Sequence, residues 1–141
     1  MVPLIKLIYQ GFSSAAEFKK INYKLICNID AHLFAQLDQD KFEKISNNLI
    51  GNAIKFTPNG GTITIVAAIT SQHIKFNVTN TGPGIHPKDL PYIFDRYYQG
   101  YQKDMPSEGG TGIGLAIARE FAELMGGNIT IDNRWGDGTI F

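Results

Sequence analysis

The sequence predicts a mixed α/β domain. Segments with helical and strand periodicity alternate along the chain, and turn-forming clusters of Pro, Asn and Gly separate them. No internal repeat or low-complexity tract breaks that order. Its 141 residues suit one domain, long enough to bury roughly two-thirds of the surface the unfolded chain exposes.

Each element has its own signal. PLIKLIYQGFSSAAEFKK (3–20) sets Leu4, Ile8, Phe12 and Ala15 at helical spacing, with Gly11 as a weak point. NYKLICNID (22–30) alternates as a strand that ends before Asp30. FEKISNNLIGNAIKF (42–56) repeats Phe42, Ile45, Leu49, Ala53 and Phe56 along one helical face. Asp38 or Asp40 can cap it, the second with Glu43 in capping-box position. TPNGG (57–61) is a turn, and TITIVAAIT (62–70) with HIKFNVTN (73–80) reads as a hairpin of two β-branched strands. GPGIHPKDLPYIF (82–94) is a loop with a short helical turn. TGIGLAIAREFAELMGG (111–127) is an amphipathic helix closed by a glycine pair. NITIDNRWGDGTIF (128–141) forms a last hairpin that turns at Gly136, Asp137 and Gly138.

Composition narrows the function classes. Thirteen basic residues balance thirteen acidic ones, so no net field points to nucleic acid or to an anionic membrane surface. The lone Cys27 makes no intrachain disulfide, fits a reducing compartment and is expected to be buried. No apolar run reaches the ~18 residues of a membrane span, and no leader pattern opens the chain, so a cytoplasmic location without direct membrane contact is expected. The parent of such a domain can itself be membrane-anchored.

The helix at 42–56 contains an apparent flaw. Asn47, Asn48 and Asn52 occupy its interior, each costing roughly 0.7 kcal/mol relative to alanine. At 100° per residue, Asn48, Asn52 and Lys55 fall on one stripe beside the apolar face. Such a stripe is either a solvated polar face or the wall of a binding site. Two glycine clusters bear on the choice. NTGPGI (80–85) ends a strand, and GGTGIGL (109–115) opens a helix, where free backbone N–H groups and the helix dipole favour an anion. Neither cluster is a dinucleotide fingerprint or a Gly-Lys-Ser/Thr phosphate loop; each is a phosphate cradle or simply a turn.

Taken together and in this order, NNLIGNAIKF, NTGPGI, IFDRYY and GGTGIGL resemble the four boxes of the sensor histidine kinase ATP-binding catalytic domain. Its superfamily includes type II topoisomerases, mismatch-repair ATPases and heat-shock chaperones. The resemblance covers residues from about Asp38 to Phe141. It implies an α+β fold: a two-layer α/β sandwich, its sheet mixed and mostly antiparallel, helices packed on one face, and a mobile ATP lid from about Arg96 to Gly109. ATP and Mg2+ are the implied cofactors.

The same resemblance implies roles. Asn52 matches the magnesium ligand, and Asn48 faces the same site one turn earlier. Lys55 would reach the phosphates and Phe56 would pack near the nucleotide, with Asn48 and Lys55 carrying the catalytic work. Asn80 matches the reader of the adenine amine, while Gly82, Gly84 and Ile85 let backbone approach adenine and ribose. Phe94 anchors the lid and Arg96 lies at the phosphates. Gly110, Thr111, Gly112, Ile113, Gly114 and Leu115 form the second glycine box, and Thr139 supports adenine recognition. Asparagine lacks the basicity to activate water near neutral pH. Asn48, where hydrolysing branches carry glutamate, therefore favours phosphoryl transfer to a protein acceptor over hydrolysis.

Two positions depart from the family pattern. Asn80 stands where aspartate is usual, and Gln99 where many members carry arginine. His32, His73 and His86 lack the neighbours of the family's phosphoacceptor histidine and read as surface or packing residues. The chain is thus expected to be a fragment, residues 1–141 forming the catalytic domain, with the phosphoacceptor hairpin elsewhere and the final strand cut short. Its expected partners are the dimerisation and histidine phosphotransfer domain of the parent and a response regulator receiver domain. Two other functions fit the same motifs: an ATP-sensing module without chemistry, and an anti-sigma-type serine kinase.

Overall fold

The computed structural model describes residues 2–29, 38–70, 73–82, 114–130, 132–134 and 138–140. In chain order the elements are α1 (Val2–Gly11), α2 (Ser13–Phe18), β1 (Asn22–Asn28), α3 (Gln39–Phe56), β2 (Thr62–Thr70), β3 (His73–Asn80), α4 (Gly114–Leu124), β4 (Asp132–Arg134) and β5 (Gly138–Ile140). The five strands make one sheet in the order β1-β2-β3-β5-β4. Among the described strands, only β1 and β2 are parallel; the other three pairs are antiparallel. A parallel pair cannot be joined by a tight turn, and α3 lies in the connection between these two strands. The α+β sandwich expected from the sequence is the fold observed.

Alternation within the strands sorts the sheet into two faces. Register aligns Tyr23, Ile63 and Asn80 in one row, Leu25, Ile65 and Val78 in the next, then Cys27, Ala67 and Phe76. These rows line the core: Ile63, Ala67 and Val78 are fully buried and Ile65 almost so. Lys24, Ile26 and Asn28 of β1 point the other way and are exposed. From the helical layer come Ile5, Ile8, Ala16, Phe42, Ile45, Leu49, Ile50, Ala53, Ile54, Ala118 and Ala122. Each buried isoleucine or leucine removes enough apolar surface from water to contribute roughly 1.5–3 kcal/mol.

Local chemistry explains the element boundaries. The first helix predicted from sequence is two: Phe12 takes a non-helical turn after Gly11, and the buried alanine is Ala16, with Ala15 exposed. Splitting the helix there shifts the core-facing register beyond the break. Of the two candidate caps for α3, the structure selects Asp38, whose side chain accepts the Lys41 backbone N–H at 3.1 Å. A hydrogen bond from the Lys41 ammonium lowers the Asp38 carboxyl below the ordinary carboxylate range. Capping at Asp38 starts the helix three residues earlier than the apolar periodicity alone does. Gly126, at φ +80°, closes α4 in a Schellman motif, with Gly127 N–H bonded to Ala122 O at 2.9 Å and Gly126 N–H to Glu123 O at 3.0 Å. Cys27 is half-buried, because β1 lies at the sheet edge and its core side is covered only in part.

Candidate functional site

The amide stripe of α3 survives folding. Asn48, Asn52, Lys55 and Phe56 are all half-buried, at the border between core and solvent. Asn47 diverges from them: it is exposed and lines a groove of about 280 Å3 between α1 and α3, with Leu7, Ile8, Gly11, Phe12 and Glu43. None of the residues singled out for binding lines that groove. The Lys55 ammonium lies 5.2 Å from the centre of the Phe56 ring, a cation–π contact worth roughly 0.5–1 kcal/mol at an exposed position. Phe56 packs at the border and not in the core, a correction to its place on the predicted apolar face.

β3 ends where this stripe ends. Asn80 occupies the core row of Ile63 and is itself only 7% exposed, a polar side chain where the pattern calls for an apolar one. Its Nδ2 donates to the Thr81 carbonyl at 3.2 Å, which leaves Oδ1 as the acceptor of the amide. Two residues on, Gly82 sits at φ +140° against the C-terminus of α3. A Cβ at Gly82 would lie 3.3 Å from the Phe56 carbonyl oxygen, 3.3 Å from Pro58 Cδ and 3.9 Å from Asn80 Nδ2. Only glycine fits both the conformation and the space. Tertiary structure therefore brings the last turn of α3, carrying Asn52, Lys55 and Phe56, against the end of β3, carrying Asn80 and Gly82.

A third element joins them. Thr139 of β5 is the direct register partner of Asn80. Nearer the N-terminus of α3, α4 packs with its Phe121 ring 5.9 Å from the Lys41 ammonium and 5.6 Å from that of Lys44. Gly114 opens α4 and Leu115 beside it is half-buried. Gly84, Ile85, Arg96, Gly110, Thr111, Gly112 and Ile113 lie outside the described residues, as do Phe94, Gln99, His32 and His86. His73 is exposed at the start of β3, as expected of a surface residue.

Sequence reasoning missed one participant. The Lys19 ammonium, from the turn after α2, donates to the Ile54 carbonyl at 2.7 Å and to the Lys55 carbonyl at 3.4 Å. Nothing near Lys19 in sequence signals this, since a basic residue ending one helix reads as a cap of that helix.

A mixed sheet backed by helices, with an amide-lined helix crossing above it, is the architecture of histidine kinase catalytic domains. The nucleotide-free catalytic domain of histidine kinase ThkA matches it with a TM-score of 0.84 at 25% identity, over 99% of this chain and 88% of that one. The chain belongs to the family of histidine kinase-, DNA gyrase B- and HSP90-like ATPases, whose model matches residues 37–141. Full-length ShkA, solved in complex with AMPPNP, matches with a TM-score of 0.81 at 28% identity, over 99% of this chain and 28% of that one. The sensor histidine kinase TmoS of Ectopseudomonas mendocina is 37% identical over 98% of this chain. This chain spans 14% of the length of TmoS.

Proposed function

We propose that this domain binds Mg-ATP between α3, the end of β3 and β5, and supplies the phosphoryl group for a histidine on a separate phosphoacceptor domain in two-component signalling. One observation carries the reading: Gly82 lies against the Phe56 carbonyl, so Asn80 and the Asn52–Phe56 turn form adjoining walls. Asn80 Oδ1 is the acceptor for an adenine amine, and Thr139 stands beside it in the sheet. Lys55 and Asn52, on the same turn of α3, face the phosphate end. That ShkA was solved with AMPPNP supports a nucleotide in the corresponding place.

Asn52 suits a magnesium ion only as one ligand among several. Among the described residues no group of three or more His, Cys, Asp or Glu could hold a metal unaided, so the remaining ligands must come from phosphate oxygens and water. The ion would neutralise phosphate charge. Asn48 orients polar groups at the phosphates without taking a proton, so water is not activated there. Phosphoryl transfer depends chiefly on positioning and charge neutralisation, which suits a stripe of Asn48, Asn52 and Lys55 that carries no carboxylate base. A response regulator receiver domain is the proposed next acceptor.

Incubation of the chain with labelled ATP and a separately produced phosphoacceptor hairpin of its parent tests the reading. Label should appear on the hairpin and not on the chain itself, with little free phosphate. Nucleotide binding without transfer would instead support an ATP-sensing module. Stable label on His32, His73 or His86 would overturn the assignment.

A further inference from the structure

The C-terminus of α3 carries the reactive end of the proposed site, and its last four carbonyls each have a partner or a close neighbour. Ala53 O accepts the Thr57 backbone N–H at 2.9 Å and the Thr57 hydroxyl. Phe56 O abuts Gly82. The two between them, Ile54 O and Lys55 O, both accept from the Lys19 ammonium. Helix ends leave such carbonyls without intrahelical donors, and the dipole places partial negative charge there, so a cation is the fitting partner.

Lys19 grips the next segment as well. Its own carbonyl accepts the Gly60 N–H at 3.1 Å, fastening the turn that follows α3. Lys19 is held in place in turn by the closure of α2, where Lys20 N–H bonds Glu17 O and Ile21 N–H bonds Ala16 O, each at 2.9 Å. Lys20 adopts a left-handed φ of 55° to make that closure, a conformation that disfavours any residue with a Cβ. The strained junction aims the Lys19 side chain at α3 and its carbonyl at the turn.

We propose that Lys19 is a positioning residue for the nucleotide site, fixing the last turn of α3 so that Lys55 and Phe56 stand in register with Asn80 and Gly82. It touches no nucleotide; it acts through the helix end. This rests on the nucleotide-binding reading above. Without the clamp, the Ile54 and Lys55 carbonyls must find water or rotate, and the turn bearing Asn52 and Lys55 shifts against β3.

Titration calorimetry of ADP and Mg-ATP against the 141-residue chain, its Lys19→Met and Lys19→Arg variants, and Asn80→Ala as a site control separates the possibilities. Lys19→Met should raise the Kd for Mg-ATP about five- to tenfold while the fitted number of sites stays near that of the parent chain. Lys19→Arg, which keeps charge and donors, should restore the affinity to within about twofold. A purely structural role would lower the number of competent sites and leave Kd unchanged, and that result overturns the proposal. Parent-like Kd in a folded Lys19→Met does the same. If Lys19→Met does not fold, Lys19→Gln replaces it, with a severalfold rise in Kd expected and parent-like Kd overturning the inference. A parent chain that binds no nucleotide sinks the functional reading itself, whereas binding lost in Asn80→Ala but kept in Lys19→Met sinks only the clamp.

Discussion

Asn80 and Thr139 face each other across the β3–β5 pair, the one buried in the core row of Ile63 and the other on a strand contributed by the last residues of the chain. The residue that would read adenine and the residue that would support it are thereby neighbours through the sheet ladder itself, without any loop between them.

Replacement of Asn80 separates recognition from stability. In Asn80→Asp the Nδ2 donation to Thr81 O gives way to oxygen facing oxygen, costing the free protein on the order of 1 kcal/mol. A charge-assisted bond to the adenine amine is worth roughly 1.5–3 kcal/mol, against 0.5–1.5 for a neutral one. The variant should melt lower without nucleotide, gain more in melting temperature on adding ADP, and discriminate more sharply against GDP, whose carbonyl oxygen would meet a carboxylate. Asn80→Ala should bind ADP more weakly than the parent. Thermal shift and competition binding decide it; an alanine variant that binds ADP as well as the parent removes Asn80 from the adenine site.

Asn52→Ala should abolish most of the magnesium dependence of ATP binding and leave adenosine binding in place. Asn52 is half-buried and on the solvent-facing border of α3, so its truncation would remove the proposed magnesium ligand without opening the core. Calorimetry with and without magnesium is the measurement, and equal dependence in the variant counts against the assignment.

Gly82→Ala should lose both stability and nucleotide affinity. A Cβ there would stand 3.3 Å from both the Phe56 carbonyl oxygen and Pro58 Cδ, at a φ that L-residues rarely adopt. Strain of this kind costs of order 1–3 kcal/mol. Denaturant unfolding reads the first effect and ADP titration the second. Parent-like values in both would mean that the two walls are not in contact in solution.

Tyr9 and Tyr23 provide a pH-dependent test of the fold. Each hydroxyl donates to the other's backbone carbonyl at 2.9 Å, and the rings stack 4.3 Å apart. Burial, then the neighbouring Tyr9, pushes the Tyr23 phenol well above its ordinary value near 10. Above about pH 10 the unfolded chain releases this proton and the folded chain keeps it, so stability is full below that pH and falls as pH rises beyond it. Tyr23→Phe should cost about 1 kcal/mol at neutral pH and flatten the loss of stability above pH 10. Urea midpoints between pH 8 and 11 measure both; an unchanged alkaline slope would show that Tyr23 does not control it.

Several features are legible in the sequence alone. β2 and β3 span 62–70 and 73–80 as their β-branched alternation predicts, and the apolar face of α3 keeps Phe42, Ile45, Leu49 and Ala53 in the core. Asn48, Asn52 and Lys55 separate from Asn47 because their angular positions on the helix do. Such properties depend on residues a few places apart, where helical or strand periodicity decides which side chains share a face.

Tertiary structure decided the rest. That Asp38 and not Asp40 caps α3, that the first helix breaks at Phe12, and that β1 joins the sheet as the parallel edge strand depend on what each segment packs against. So does the meeting of Asn80 with Thr139, of Gly82 with Phe56, and of Lys19 with the end of α3. The sequence by itself determined the type of each element and the family motifs upon it, because both are written in short-range spacing. Which distant residues touch is set by burying one shared core and giving buried backbone groups their partners, a condition on the whole chain that no local window contains.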